Sequence, residues 1–306
     1  MSKIKLHFGG YQGPYSVHSR AISVFRETLE ISLGNDLDFT HSLNIMDMGR
    51  PASDLINMVS SGELTFCYFS SSYLADKVRE FQLLDLPFMI QNREQAYAIF
   101  DGPLGQFLAD KIDEVCDFRV LSWWDNGFRH FSNRLRPIRN PDDCVGLIIR
   151  SLRSDIYKKT YSSLGFKPVY LDVSKLKNAV ESGKVDAQEN ALSNIFNFGI
   201  NNHHRWITLS QHFFGPAVVL CHKKTYDSWP IEVRKIVNIA LKKATDAQRR
   251  FASAEEKEVL QKFDLSNNEI ITLGDDQRLE FVSTVKPVIE STISHFRGEL
   301  FDFFSV

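Results

Sequence analysis

Cysteine is scarce and scattered. Cys67, Cys116, Cys144 and Cys221 stand far apart in 306 residues and form no C-x-x-C pair, so a metal cluster or thiol-redox site has no motif to rest on. Three of the four lie in apolar surroundings and read as small buried hydrophobes. Excess charge is lacking too. With 36 basic against 38 acidic residues, no global field recruits nucleic acid or a membrane surface. No apolar run approaches the roughly 20 residues of a membrane span, and no segment is of low complexity. Nucleophile elbow, phosphate loop and zinc-ligand spacing are all missing. His203, His204 and His212 have no carboxylate or cysteine at matching spacing. No catalytic group, metal, cofactor or nucleic-acid partner is therefore expected. The start, MSKIKLHFGG, enters a strand pattern at once without a basic segment leading into an apolar one. That start fits either a cytoplasmic chain or a mature exported form whose signal has been removed.

What is present is a regular alternation of elements, with 43% apolar residues, enough for two domains with real cores. Periodicity predicts a strand over 4–8, a helix over 14–33 closed by Gly34, and a strand over 37–43. A helix over 51–61 stops at Gly62 before a strand over 64–69. A packed irregular segment follows at 81–90, then a helix over 93–115 and a strand over 119–124. After residue 150 come a helix over 155–164, a strand over 168–173 and a helix capped by Ser174 that stops at Gly183. Short strands over 206–211 and 216–221, a long helix over 231–260, a strand over 270–273 and a helix over 277–304 complete the chain. This rhythm argues an open α/β sheet with parallel pairs.

One unit occurs twice. Leu55, Val59, Ser61, Gly62 and Leu64 match Leu176, Val180, Ser182, Gly183 and Val185 at a constant offset of 121 residues. Helix, Ser-Gly stop and strand lead to Ser70-Ser71-Ser72 in one copy and to Gln188-Glu189-Asn190 in the other. The unit is common enough to recur by chance; the other reading is a pair of similar α/β domains. Ligands of open α/β sheets bind outside the carboxyl ends of the strands, so on that second reading both polar tails face one cleft.

Residues 126–150, NGFRHFSNRLRPIRNPDDCVGLIIR, hold five arginines and read as two strands joined by a turn. Arg134, Arg136 and Arg139 fall in the turn-rich connection and need only solvent. Arg129 sits among Phe128, His130 and Phe131, and Arg150 ends the apolar run Val145-Gly146-Leu147-Ile148-Ile149. A guanidinium on a buried strand is costly unless something negative meets it. The partner is either a ligand carboxylate or a protein acid such as Asp186 or Glu189.

The same stretch carries a resemblance. N-G-F-R and S-N-R, then D-x-x-G-L-x-x-R ending at Arg150, are followed by L-G-F-K-P and by S-G-K-V-D-A-Q-E-N ending at Asn190. In that order they resemble the solute-binding proteins of tripartite ATP-independent periplasmic (TRAP) transporters, of the DctP type. The resemblance implies a two-lobed periplasmic-binding-protein fold (type II-like), each lobe a mixed sheet flanked by helices, with a long helix spanning both. The lobes would be 1–124 plus 214–255 and 125–213 plus 256–306, closing on a ligand in the cleft between them. It implies a monomeric, non-enzymatic periplasmic protein that captures a small organic acid and delivers it to a membrane permease. Arg150 would form the main salt bridge to the ligand carboxylate, with Arg129 and Asn190 lining the same pocket. The other lobe would contribute Tyr11 and Ser70, and Trp124 and Phe213 would supply aromatic walls. There are departures. Ala187 replaces a family glycine, Ser151-Leu152-Arg153 replaces Val-Pro and a small polar residue, and Ser70 stands where some members carry an acid that contacts an amino or hydroxyl group. The rival readings are a receptor-coupled sensor of the same fold and an enzyme acting on a small carboxylate, with Glu189 as the only suspect acid.

Overall fold

Capping side chains and left-handed glycines cut the chain where its periodicity changes. A computed structural model describes residues 3–296 and 298–300. The first helix runs Val17–Leu33: the Ser16 hydroxyl accepts from the Ser19 N–H, and Gly34 (φ 52°) ends it. Its buried Val17, Ala21, Ile22, Phe25 and Leu29 recur at three- and four-residue spacing, which places one apolar stripe against the sheet. In chain order the strands are β1 (Ile4–Gly9), β2 (Leu37–Ser42), β3 (Phe66–Ser70), β4 (Phe118–Asn133), β5 (Ile148–Ser151), β6 (Lys167–Tyr170), β7 (Ala187–Ala191), β8 (Trp206–His222) and β9 (Glu269–Thr272).

The chain divides into two compact units. Unit 1 is Met1–Val78, Gly105–Asp125 and Pro216–Glu255; unit 2 is Arg79–Leu104, Asn126–Gly215 and Glu256–Val306. In unit 1 the strand order is β2-β1-β3-β8, with β2 and β3 parallel to β1 and β8 antiparallel to β3. In unit 2 it is β6-β5-β7-β4, with β6 and β7 parallel to β5 and β4 antiparallel to β7. The two orders are the same. The repeat read at 121-residue spacing falls on corresponding places in them: helix Asp54–Ser61, Gly62 and β3 in one unit, helix Leu176–Glu181, Gly183 and β7 in the other. In unit 2, β9 adds to β8 in parallel.

Several boundaries differ from the sequence reading. The strand over 119–124 and the first of the two strands within 126–150 are one strand, β4, and those over 206–211 and 216–221 are one strand, β8. Asn126-Gly127 and Gly215-Pro216 look like turns, but they are the points where these strands pass from one unit to the other. Gly127 is needed there: its φ is +83°, and a Cβ would lie 2.9 Å from the Ala191 Cβ. The long helix Ile231–Lys262 makes a third passage. The helix over 93–115 is two, Arg93–Asp101 and Pro103–Val115, because Pro103 has no N–H to continue the first. Asp172, not Ser174, supplies the capping side chain ahead of helix Leu176–Glu181. The last helix is Asp275–Ile293, and the end of the helix expected over 277–304 lies outside the described residues.

Residues 79–104, expected with the first lobe, group with unit 2. Their contacts explain this: the Phe88 N–H donates to the His212 carbonyl at 2.8 Å, the Ser154 hydroxyl to Asp85 at 2.9 Å, and Arg93 meets Glu256 at 2.5 Å. No helix among the described residues is long and apolar enough to cross a membrane. All four cysteines are free, and Cys67, Cys144 and Cys221 are buried.

Each unit buries a neutral imidazole. In unit 1, His18 stacks on Tyr68 at 4.5 Å with its Nδ1 against Gln12 Oε1, and burial pushes its pKa down to about 3. In unit 2, His204 lies against the Ser132 hydroxyl, and burial lowers its pKa to about 3. In the unfolded chain both titrate near pH ~6.5. Below that pH the unfolded state takes up protons that the folded state refuses, so stability falls as pH drops from about 6.5 toward 3. Tm is expected to decline already between about pH 7 and 5, above the usual carboxylate range, and His18→Phe is expected to flatten the slope. A flat Tm across that window contradicts the burial of neutral histidines.

Candidate functional site

In unit 2, three adjacent strands, β4, β7 and β5, carry Arg129, Asn190 and Arg150. Register decides which side each residue takes. Arg129 lies opposite Ala191 and Phe131 opposite Glu189 in the antiparallel pair. Arg150 lies opposite Gln188 in the parallel pair. Side chains alternate along a strand, so Arg129 shares one face of the sheet with Glu189. Arg150 shares the other face with Gln188 and Asn190.

Arg129 already has its anion. Its Nε and Nη2 donate to the two carboxylate oxygens of Glu189, the second at 2.9 Å, and Nη2 also reaches the Glu189 carbonyl at 3.2 Å. Both side chains are buried, 4% and 0% exposed. Burial works to lower the Arg129 pKa, but the Glu189 carboxylate beside it holds it well above its ordinary value. Tyr157 lies under the guanidinium at 6.0 Å and stacks on Phe213 at 4.1 Å. This fork-to-fork pair is part of the scaffold. Only Arg129 Nη1 is left over by Glu189.

Arg150 is different. It keeps 2% of its surface exposed, and its Nε donates to the Leu171 carbonyl at 2.9 Å. Among the described residues no carboxylate pairs with it. Both internal candidates are engaged elsewhere: Glu189 by Arg129, and Asp186 by Arg134 at 2.6 Å and by the Ile148 N–H at 3.0 Å. Among the described residues the two Nη groups of this buried, permanently charged side chain thus have no acceptor, the costly condition for a guanidinium.

Asn190, 4% exposed, lies two residues along β7 from Gln188, the strand partner of Arg150. Its Oδ1 accepts from the Ala191 N–H at 3.2 Å and from Asn194 Nδ2 at 2.9 Å, which leaves its NH2 as the outward group. Phe213 is 1% exposed and sits in a ring cluster with Tyr157, Tyr161 and His212; it shapes the wall behind Arg129 and is not an open surface. Arg136 caps the backbone by donating to the Asp143 and Val145 carbonyls, and Arg139 pairs with Glu269 at 3.0 Å.

In unit 1, Tyr11 packs on Tyr68 at 5.2 Å and on Phe69 at 5.4 Å, and its backbone bridges to Asn44. Ser70 ends β3, half-buried, at the carboxyl end of a strand otherwise sealed by Phe66, Cys67, Tyr68 and Phe69. Trp124 packs in the core of unit 1. It is fully buried, stacked on Phe8 at 6.1 Å, and its indole N–H donates to the Thr245 hydroxyl at 3.1 Å. Its ring and its one donor are both engaged in the core of unit 1.

Sequence reasoning missed Asn194 and Asn126. Asn194 Nδ2 also donates to Asn126 Oδ1, at 3.3 Å. The available signal is an asparagine in the first turn of the short helix Leu192–Asn197, just past the end of the strand that carries Asn190. Among the described residues no group of three or more His, Cys, Asp or Glu side chains is placed to hold a metal ion.

Three comparisons bear on this arrangement. The family model described as bacterial extracellular solute-binding protein, family 7 (DctP), matches residues 18–295. A solute-binding protein of Verminephrobacter eiseniae is 30% identical over 226 residues, 74% of this chain and 66% of the relative; the match thus spans just under two thirds of that protein's length. The crystal structure of the sugar acid binding protein DctPAm from Advenella mimigardefordensis, in complex with galactonate, superposes with a TM-score of 0.94 at 25% identity, covering 100% of this chain and 98% of that one. A TRAP periplasmic solute-binding protein from Sulfurospirillum deleyianum, with bound succinate, gives 0.93 at 23% identity, covering 100% and 99%. The fold is thus the two-lobed α/β fold of these binding proteins.

Proposed function

Because this chain belongs to the bacterial extracellular solute-binding proteins of family 7, we propose that it captures a small organic acid in the periplasm and, acting as a monomer, delivers it to a TRAP membrane permease. One observation carries the ligand class. Arg150 is buried with neither Nη group meeting an acceptor among the described residues, while the two candidate acids, Asp186 and Glu189, are held by other arginines. A planar guanidinium offers a carboxylate two parallel N–H bonds, and Asn190 places its NH2 on the same face. Arg129 Nη1, Ser70 and Tyr11 are proposed as further ligand contacts. The protein binds and releases without catalysis: the one acid suspected of chemistry, Glu189, is locked as the counter-ion of Arg129.

The class is tested by thermal shift with succinate, galactonate, D-erythronate and benzoate. A ligand at about a hundred times its Kd adds roughly 2.7 kcal/mol to the folded state, which moves Tm by several degrees in a chain of this size. At least one of the four carboxylates is expected to do so, and their neutral primary amides are not. Equal stabilisation by acid and amide, or none by any acid, rejects a carboxylate ligand.

A further inference from the structure

Asn194 makes no claim on a ligand by itself, yet it controls two side chains at the site. Its single NH2 group donates to Asn190 Oδ1 at 2.9 Å and to Asn126 Oδ1 at 3.3 Å. All three asparagines are buried, at 5%, 4% and 7% exposure. An amide has one acceptor end and one donor end. With both acceptor ends turned toward Asn194, the NH2 groups of Asn190 and Asn126 turn the other way. Neither NH2 group has a hydrogen-bond partner among the described residues. Arg150 presents only N–H groups as well.

We propose that Asn194 is a positioning residue that locks Asn126 and Asn190 as hydrogen-bond donors. Arg150, Asn190 and Asn126 of unit 2 then present donors only, and this trio selects an ionised carboxylate over a neutral acid, amide or alcohol. This rests on the reading that Arg150 holds the ligand carboxylate. The selection works by mismatch: a ligand group that must itself donate would face N–H groups, leaving both partners buried and unsatisfied. Without the clamp, either amide rotates freely and its oxygen, placed outward, repels the carboxylate.

The test uses calorimetry with whichever of succinate, galactonate, D-erythronate and benzoate raises Tm most. Asn194→Leu removes the donor at similar volume, and Asn194→Asp replaces it with acceptors. Each is expected to weaken binding about ten-fold or more, the scale of a hydrogen bond to a charged group. The cost must pass through Asn190. In an Asn190→Ala background, Asn194→Leu is therefore expected to cost about half as much or less on the logarithmic scale, the non-additivity of coupled sites. Asn194→Ser, which keeps a hydroxyl donor, is expected to recover part of the loss. On the unsubstituted protein, the side-chain NH2 resonances of Asn126 and Asn190 are expected to shift on titration with the same acid. Affinity unchanged in Asn194→Leu and Asn194→Asp, a full cost retained in the Asn190→Ala background, or unmoved NH2 resonances overturns the clamp. Arg150→Ala separates the two readings. If it abolishes binding while the Asn194 variants bind normally, only the clamp fails; if it binds normally, the carboxylate reading fails and the clamp with it.

Discussion

Arg150→Ala is expected to weaken binding of the best carboxylate ligand by about 3–5 kcal/mol, the scale for truncating one partner of a buried, hydrogen-bonded charge pair. The ligand-free protein is expected to keep its Tm. The second half follows from the same geometry as the first. Among the described residues Arg150 has one acceptor, the Leu171 carbonyl, and no carboxylate partner, so truncation breaks no ion pair there and leaves no carboxylate stranded. It removes a cation whose burial is unfavourable until a ligand arrives. Arg150→Lys is expected to lose nearly as much affinity as alanine, because an ammonium is a point charge and cannot offer two parallel N–H bonds. Calorimetry and thermal denaturation of the three proteins decide it. Unchanged affinity in Arg150→Ala assigns the carboxylate to another cation, and a large fall in ligand-free Tm assigns Arg150 to the scaffold.

How far the sequence alone reaches can be judged from such residues. The 121-residue repeat is legible because helix, glycine stop and strand each leave a local mark, and both copies fall at the same place in the same strand order. The long strands β4 and β8 are not legible. Asn126-Gly127 and Gly215-Pro216 carry turn chemistry, and nothing local distinguishes a turn from a strand passing between two units. Arg129 and Arg150 look alike in sequence, both guanidiniums on apolar strands. What separates them is register across a neighbouring strand: one position along β7 is Glu189 on one face, and the next is Asn190 on the other. Trp124 and Phe213 were expected as pocket walls because an aromatic ring suits a wall as well as a core. In the structure the Trp124 indole donates to the Thr245 hydroxyl and Phe213 stacks on the Tyr157 ring, so both rings pack in cores. Asn194 was invisible for a different reason, since its effect passes through the orientation of two other amides and no motif encodes that.

Glu189→Gln is expected to lower the stability of unit 2 by about 3–5 kcal/mol, the cost of leaving one member of a buried ion pair uncompensated. The glutamine keeps the shape but withdraws the charge that opposes burial of Arg129. It also replaces one of two acceptors with a donor aimed at the guanidinium. Trp206 is the tryptophan of unit 2, while Trp123, Trp124 and Trp229 belong to unit 1. Its fluorescence in urea, with the other three replaced by phenylalanine, therefore reads the affected unit. Removing both charges should undo most of the damage. Arg129→Met with Glu189→Leu fills the same space without a buried ion, and such replacements of whole pairs are often neutral or stabilising. A double variant as unstable as Glu189→Gln would mean that the pair does more than balance charge. A Glu189→Gln protein as stable as the parent would mean that Arg129 finds its anion elsewhere. The contrast with Arg150 is the substance of the proposed site: of two arginines on strands either side of β7, one is neutralised by Glu189 and expected to fail by unfolding, the other is proposed to hold the ligand and expected to fail by losing it.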